Sequence, residues 1–185
     1  MIRKPAFRRK MRLPDEFGIP NEEIRYATGE SLLGPVLVAS SPKGVLAILI
    51  GENPGQLVAK LQKRFPRGHL VRAGEDAGGL ATRVIDYIDA PKGRLELELD
   101  LRGTDFQQRV WQAMREIPAG RTSSYSDIAH AAGMPRASRA VGTACANSNL
   151  AFAVPCHRVL HKGGSPRTGH HWGLHSQQAL IDREA

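Results

Sequence analysis

Ser124-Tyr125-Ser126-Asp127-Ile128-Ala129-His130-Ala131-Ala132-Gly133-Met134-Pro135-Arg136-Ala137-Ser138-Arg139-Ala140-Val141-Gly142-Thr143-Ala144-Cys145-Ala146 sets the architecture of the second half of the chain. Ser124 and Asp127 form a capping pair: the hydroxyl accepts from the third helical amide while the carboxylate reaches back to the cap. They open a short helix from Tyr125 to about Ala132. Gly133 supplies the left-handed residue that stops it. Pro135, whose φ suits a first turn, starts a further helix running to about Ala146. A short helix, a glycine turn and an arginine-bearing helix predict a helix-turn-helix. Arg136 and Arg139 precede mostly small residues, which let a helix enter a groove or pack closely on a neighbour.

Upstream, Thr104 and Gln107 make a capping box, and Phe106, Val110, Trp111, Met114 and Ile117 form an apolar helical face ended by Pro118-Ala119-Gly120. The first half mixes strands and helices. Val36–Ala39 and Val45–Ile50 are β-prone runs joined by Ser40-Ser41-Pro42-Lys43-Gly44, a hairpin. Pro54 starts a helix through Phe65, and a second helix spans Leu80 to Ile88. Leu95, Leu97, Leu99 and Leu101 alternate with acidic residues and predict a half-buried strand. Residues 1–22 have no period and read as a basic arm. The expected organisation is an arm (1–22), a mixed unit (23–101) and a helical unit (102–185).

Of the 185 residues, 41% are hydrophobic and 24% charged, a globular composition. No apolar run approaches the roughly 20 residues needed to span a bilayer, and the first residues lack the apolar core of a secretory signal. The expected setting is the cytoplasm, with no membrane. The net charge of +8 is unevenly spread: residues 1–12 carry six basic side chains and no acidic one, and 102–185 carry ten basic against five acidic. The second half is the better polyanion-facing surface, although a charge of this size also suits ordinary solvated surface.

Chemistry concentrates in Ala151-Phe152-Ala153-Val154-Pro155-Cys156-His157-Arg158-Val159-Leu160. Burial alone makes a thiol inert, so a nucleophilic cysteine in an apolar run needs a base or a positive field beside it. His157 can serve, directly or through a water, if a carboxylate orients its ring. Glu184, Asp182 and Asp127 are the candidates. The alternative is a buried structural cysteine beside an unrelated histidine. His161, His170, His171 and His175 lack partners at recognised metal-ligand intervals, so no metal and no cofactor is assigned. With only Cys145 and Cys156, no four-cysteine zinc site is expected.

Pro155-Cys156-His157-Arg158-Val159 resembles the active-site signature of the O6-alkylguanine-DNA alkyltransferases. Arg102-Gly103-Thr104-Asp105-Phe106-Gln107-Gln108-Arg109-Val110-Trp111, Ile117-Pro118-Ala119-Gly120, Ser124-Tyr125, Arg139-Ala140-Val141 and Trp172-Gly173 resemble that family too, in order. The likeness is strong over 102–185 and weaker from about Arg25, and is greatest to the C-terminal part of Ada-type proteins.

The resemblance implies an α+β fold: an N-terminal ribonuclease-H-like α/β domain followed by a helical, winged helix-turn-helix DNA-binding domain. It implies a monomer whose partner is double-stranded DNA containing alkylated bases. The lesion is flipped out, and the alkyl group passes from O6-alkylguanine, with O4-alkylthymine a further substrate class, irreversibly to Cys156. By the same resemblance His157 acts as base through a water, Glu184 orients it, and Tyr125 contacts the DNA backbone and helps protonate the leaving guanine. Arg139 fills the vacated stack from the minor groove, with Ala140 permitting close approach and Arg136 and Ser138 also facing DNA. Val159 and Arg158 belong to the substrate pocket.

Two positions depart from the family pattern. Ser148 stands where a hinge asparagine is usual, flanked by Asn147 and Asn149, and offers fewer side-chain hydrogen bonds. His170 stands where a pocket tyrosine is expected, with less stacking area and a proton that exchanges near neutrality. Two other classes of function compete: a DNA-binding module that transfers nothing, and a cysteine hydrolase or redox protein. Cys156 argues against the first; Tyr125, the Arg139 helix and the basic second half argue against the other.

Overall fold

The computed structural model describes residues 20–74, 79–163 and 173–184. The hairpin forms as strands β2 (Gly34–Ser41) and β3 (Gly44–Ile50), antiparallel. All of Val36–Ala39 is buried, which a strand covered on one face cannot achieve; both faces of this sheet are covered.

Two strands of this sheet lie outside the sequence expectation. β1 (Glu23–Ser31) pairs antiparallel with β2, and β4 (His69–Arg72) pairs parallel with β1. The sheet order is β3-β2-β1-β4. Only Ile24 and Ala27 of β1 are buried, so its sequence shows neither clear alternation nor a β-branched run; its pairing with the hydrophobic β2 makes it a strand.

Helix α1 (Pro54–Arg64) is capped by Asn53, whose side chain accepts from the Gly55 amide at 2.8 Å. It covers one sheet face, where Leu57, Leu61 and Phe65 pack with Ile24, Leu37 and Leu46. Helix α2 (Leu80–Asp89) covers the other through Val84 and Ile88, against Ala27, Val36 and Val38.

The stretch Leu95–Leu101 alternates as expected, with Leu95 and Leu97 buried and Glu96 and Glu98 exposed, yet it is not a strand. It meets β3 at one residue only: the Val45 amide donates to the Glu98 carbonyl and the Asp100 amide to the Val45 carbonyl, both at 2.8 Å. Further along that same edge, Ile48 donates to the Asn149 carbonyl at 2.7 Å. Two segments share one edge, so neither builds a ladder.

Helix α3 (Asp105–Arg115) carries the Thr104–Gln107 capping box. Its Trp111 Nε1 donates to the Ala144 carbonyl at 3.0 Å. A two-residue strand, β5 (Ser123–Ser124), leads into α4 (Tyr125–Ala131), whose Ser124–Asp127 box and Gly133 stop at φ 76° agree with the sequence reading. The next helix, α5 (Ser138–Ala146), begins three residues later than expected. Pro135 and Arg136 sit in a turn closed by the Ala137 amide on the Met134 carbonyl at 2.9 Å. Proline's φ suits the second position of such a turn as well as a first helical turn, and here the turn prevails.

After α5 the chain crosses β3's edge, makes a single 3₁₀ turn (Cys156–Arg158) and enters β6 (Val159–Leu160), parallel to β5. Helix α6 (Gly173–Glu184) follows. One apolar cluster runs from the α2 face of the sheet through Val110, Ile128 and Val141 to Val154, Val159 and Leu180. Among the described residues no helix is long and apolar enough to cross a membrane.

Candidate active site

Ala151 through Leu160 are all buried. Phe152, at φ 65°, reverses the chain so that the Val154 amide returns to the Leu150 carbonyl at 2.9 Å. The 3₁₀ turn then places three chemically different side chains in succession. Cys156 is 2% exposed, its Sγ 3.8 Å from Met114 Sδ and 3.8 Å from the Cys145 carbonyl. Cys145 lies in the core, its Sγ 3.9 Å from the same Met114 sulfur, in keeping with a packing role.

His157 is fully buried, and its Nε2 lies 2.9 Å from Glu184 Oε1. Of the three carboxylates, the structure brings Glu184 to the histidine. Asp127 is spent on capping Ser124, and Asp182 accepts from Gln178 at 2.8 Å on the exposed side of α6. Burial pushes the Glu184 carboxyl up, but the hydrogen bonds from His157 and Arg158 outweigh it and hold it at about 2. Burial pushes the His157 imidazole down, and the opposing pull of Glu184 does not restore it. The pair is therefore a carboxylate and a neutral ring. A carboxylate only accepts, so Nε2 carries the hydrogen and Nδ1 is the basic nitrogen.

Arg158 completes the group. Its Nε donates to Glu184 Oε2 and its Nη2 to Oε1, each at 2.8 Å, a bidentate pair with both side chains almost wholly buried. Nη1 donates to the Ile117 carbonyl at 2.6 Å and Nη2 to the Tyr87 hydroxyl at 3.1 Å. Arg158, expected in the substrate pocket, is thus committed to holding Glu184. Two of its N–H groups hold the carboxylate, and two more anchor the guanidinium on Ile117 and Tyr87.

Most of the residues expected to meet DNA lie elsewhere, on the surface; Tyr125 is buried. Arg139 is the second residue of α5 and exposed; Ser138 and Ala140 flank it, partly exposed. Arg136 is exposed in the preceding turn. Tyr125 opens α4 and is 8% exposed, its ring 5.3 Å from that of His161. Val159 is buried in β6, parallel to Ser123. The Ser148 amide donates to the Cys145 carbonyl at 3.2 Å, and its Oγ accepts from the Leu150 amide at 3.3 Å. That serine, with the Asn149 carbonyl held by Ile48, ties the turn before the cysteine. His170 lies outside the described residues.

The sequence reading missed Tyr87, Gln177 and Met114. Gln177 is buried, and its Nε2 donates to the His157 carbonyl at 3.1 Å. Tyr87 falls inside the expected Leu80–Ile88 helix without being singled out, and Met114 reads only as an apolar-face residue of α3; a hydroxyl or thioether on such a face gives no sequence signal. Among the described residues no three His, Cys, Asp or Glu side chains converge on a metal position.

Residues 105–185 match the sequence family described as 6-O-methylguanine DNA methyltransferase, DNA binding domain. The chain is 42% identical over 168 residues to the bifunctional transcriptional activator/DNA repair enzyme Ada of Escherichia coli, of which it spans about half the length, 47%. It is 36% identical over 148 residues to the inducible methylated-DNA–protein-cysteine methyltransferase of Bacillus subtilis, covering 80% of this chain and 82% of that protein. The crystal structure of Mycobacterium tuberculosis OGT in complex with DNA superposes with a TM-score of 0.72 at 34% identity, over 86% of this chain and 92% of that one. The Mycobacterium bovis methylated-DNA–protein-cysteine methyltransferase is 44% identical over 161 residues, 87% of this chain and 92% of its own, and by that measure the chain belongs to the methylated-DNA–protein-cysteine methyltransferase family.

Proposed function

We propose that the protein repairs double-stranded DNA by moving an alkyl group from O6-alkylguanine to Cys156, once per molecule. The observation that carries this reading is the buried succession Cys156-His157-Arg158 tied to Glu184. His157 Nδ1 takes the thiol proton through a water, and the resulting imidazolium is held by the ionised Glu184. The thiolate attacks the alkyl carbon in line. The S–C bond forms as the C–O6 bond breaks, and guanine leaves with the bonding pair and takes up a proton, which Tyr125 delivers; the proton taken by His157 returns through solvent to the Tyr125 phenolate, so none is gained or lost overall. A thioether has no easy route back to thiol, so the protein is consumed.

A sulfur this buried cannot reach an in-stack O6, so the base is extruded. Exposed Arg139 near the start of α5, followed by Ala140, suits insertion into the stack from the minor groove, and Arg136 and Ser138 suit phosphate contact. Val159 lines the base pocket. Ser148, in the turn before the cysteine, acts as its hinge.

The two-part architecture belongs to the same reading. Residues 23–101 form a ribonuclease-H-like unit, supported by the order β3-β2-β1-β4 with β4 parallel to β1. Residues 102–185 form a winged helix-turn-helix unit, supported by α4 and α5 beside the β5–β6 pair; of the arm expected over residues 1–22, residues 1–19 lie outside the described residues.

Mass spectrometry after incubation with a duplex carrying O6-methylguanine tests the reaction. The expected result is one methyl increment on the Cys156 peptide, absent in Cys156→Ala. Tight binding with unchanged mass would reduce the protein to a lesion-binding module, and neither binding nor transfer would end both readings.

A further inference from the structure

The last turn of α2 reaches the buried ion pair from the first half of the chain. Tyr87 is 8% exposed, and its hydroxyl accepts from Arg158 Nη2 at 3.1 Å and donates to the Gly93 carbonyl at 3.4 Å. One residue on, the Ile88 carbonyl accepts from Arg183 Nη1 at 2.8 Å, and Arg183 directly precedes Glu184 in α6. Helix α2 therefore grips both the arginine that holds Glu184 and the helical turn that carries it. Burial raises the Tyr87 hydroxyl above its ordinary pKa, so it stays protonated and keeps both bonds.

Arg158 has a direction to choose. Its bidentate contact with Glu184 needs Nε and Nη2 on one edge of the guanidinium, while the Ile117 carbonyl takes Nη1. The Tyr87 oxygen takes the remaining Nη2 hydrogen. Without it, that N–H is a buried unmet donor, and the guanidinium is free to tilt about its Nη1 anchor away from Glu184. The groups that face Glu184 and respond to such a tilt are His157 and Arg158 from the 3₁₀ turn and Tyr87 from α2.

We propose that Tyr87 is a positioning residue for alkyl transfer, acting through Arg158 on Glu184 and so on His157, which makes α2 a working part of the active site. The inference rests on the alkyl-transfer reading. Its consequence has a definite sign. A loosened Arg158 stabilises the Glu184 carboxylate less, so that carboxyl protonates at higher pH. Glu184, less neutralised by the guanidinium, also favours a protonated His157. The Glu184 step, at about 2, lies below the range of the assay, so the His157 effect sets the acid limb of the transfer rate and moves it to higher pH.

The test is the rate of methyl transfer from duplex O6-methylguanine across pH 5 to 9, for the full chain and for Tyr87→Phe, which keeps the ring and removes one oxygen. The expected result is a loss of about three- to tenfold near neutral pH, with the acid limb displaced upward by about half a unit. In a Glu184→Gln background the same substitution should add nothing, because its route of action is gone. A Tyr87→Phe protein with the wild-type profile, a uniform loss with an unmoved limb, or an undiminished effect in the Glu184→Gln background would each overturn the proposal. If the unsubstituted protein transfers no methyl group, the alkyl-transfer reading itself has failed, a result distinguishable from all of these.

Discussion

His157 Nε2 and Glu184 Oε1 are 2.9 Å apart, 27 positions from each other along the chain, with both side chains out of contact with solvent. Glu184 → Gln keeps the shape and removes the charge. The amide cannot stabilise an imidazolium as a carboxylate does, and its two ends no longer both accept from Arg158. Transfer is expected to slow by about 100-fold, with binding to undamaged duplex unchanged, since the exposed residues of α5 are untouched. Single-turnover kinetics with a gel-shift control check both halves; a wild-type rate would rule the role out.

The same pair makes stability depend on pH. The folded-state carboxyl titrates at about 2 against an ordinary value of 4.5, so the folded protein holds its proton less tightly than the unfolded chain does. The stabilisation is present above pH 4.5 and is lost as pH falls through the range from about 4.5 to about 2. Its size is about 3 kcal/mol at most. His157, pushed below its ordinary 6.5, adds a loss of the same sign, beginning as pH drops under about 6.5. Urea midpoints measured from pH 7 downward should fall in both steps, and Glu184→Gln should flatten the lower one.

The sequence carried the helical unit better than the sheet, for physical reasons. Capping boxes at Thr104 and Ser124 and the stop at Gly133 are local devices, complete within four or five residues, and all stand where the sequence put them. β1 is a strand only because β2 is beside it, and Leu95–Leu101 fails to be one only because Leu150 and its neighbours take the rest of the same edge. Such outcomes depend on residues far away in the chain. The site divides in the same way. Cys156 and His157 are adjacent and legible, and Glu184, one of three open carboxylates by its residue type alone, is singled out by the family resemblance and is the one the fold brings to the histidine. Tyr87 carries no mark in sequence, because its ring fills the apolar face of α2 as a phenylalanine would.

Arg139 offers a separation of binding chemistry from transfer chemistry. It is exposed near the start of α5 and takes no part in the buried group around Glu184. If it fills the vacated stack, Arg139→Ala should slow repair in duplex by about one to two orders of magnitude, the equivalent of a few kcal/mol of unstacking no longer offset. Reaction with the free base O6-benzylguanine, which needs no flipping, should change less than about twofold. Equal losses on the two substrates would remove Arg139 from that role.

Gly120 and Gly133 both have positive φ, 71° and 76°, but they differ in what a side chain would meet. At Gly133 a Cβ finds nothing within 4 Å, so alanine there costs only backbone strain, about 1 kcal/mol. At Gly120 a Cβ would lie 2.8 Å from the Glu184 carbonyl oxygen. That is backbone, and it cannot rotate aside; the last turn of α6 has to move, taking the carboxylate with it. Gly120→Ala is expected to cost about 2–4 kcal/mol and to reduce the transfer rate of the fraction that remains folded, whereas Gly133→Ala lowers the urea midpoint modestly and leaves that rate alone. Urea titration and single-turnover transfer on the two variants, corrected for active fraction, decide the matter. Equal rates would mean that the Glu184 carboxylate holds its place against His157 even when its own backbone is displaced.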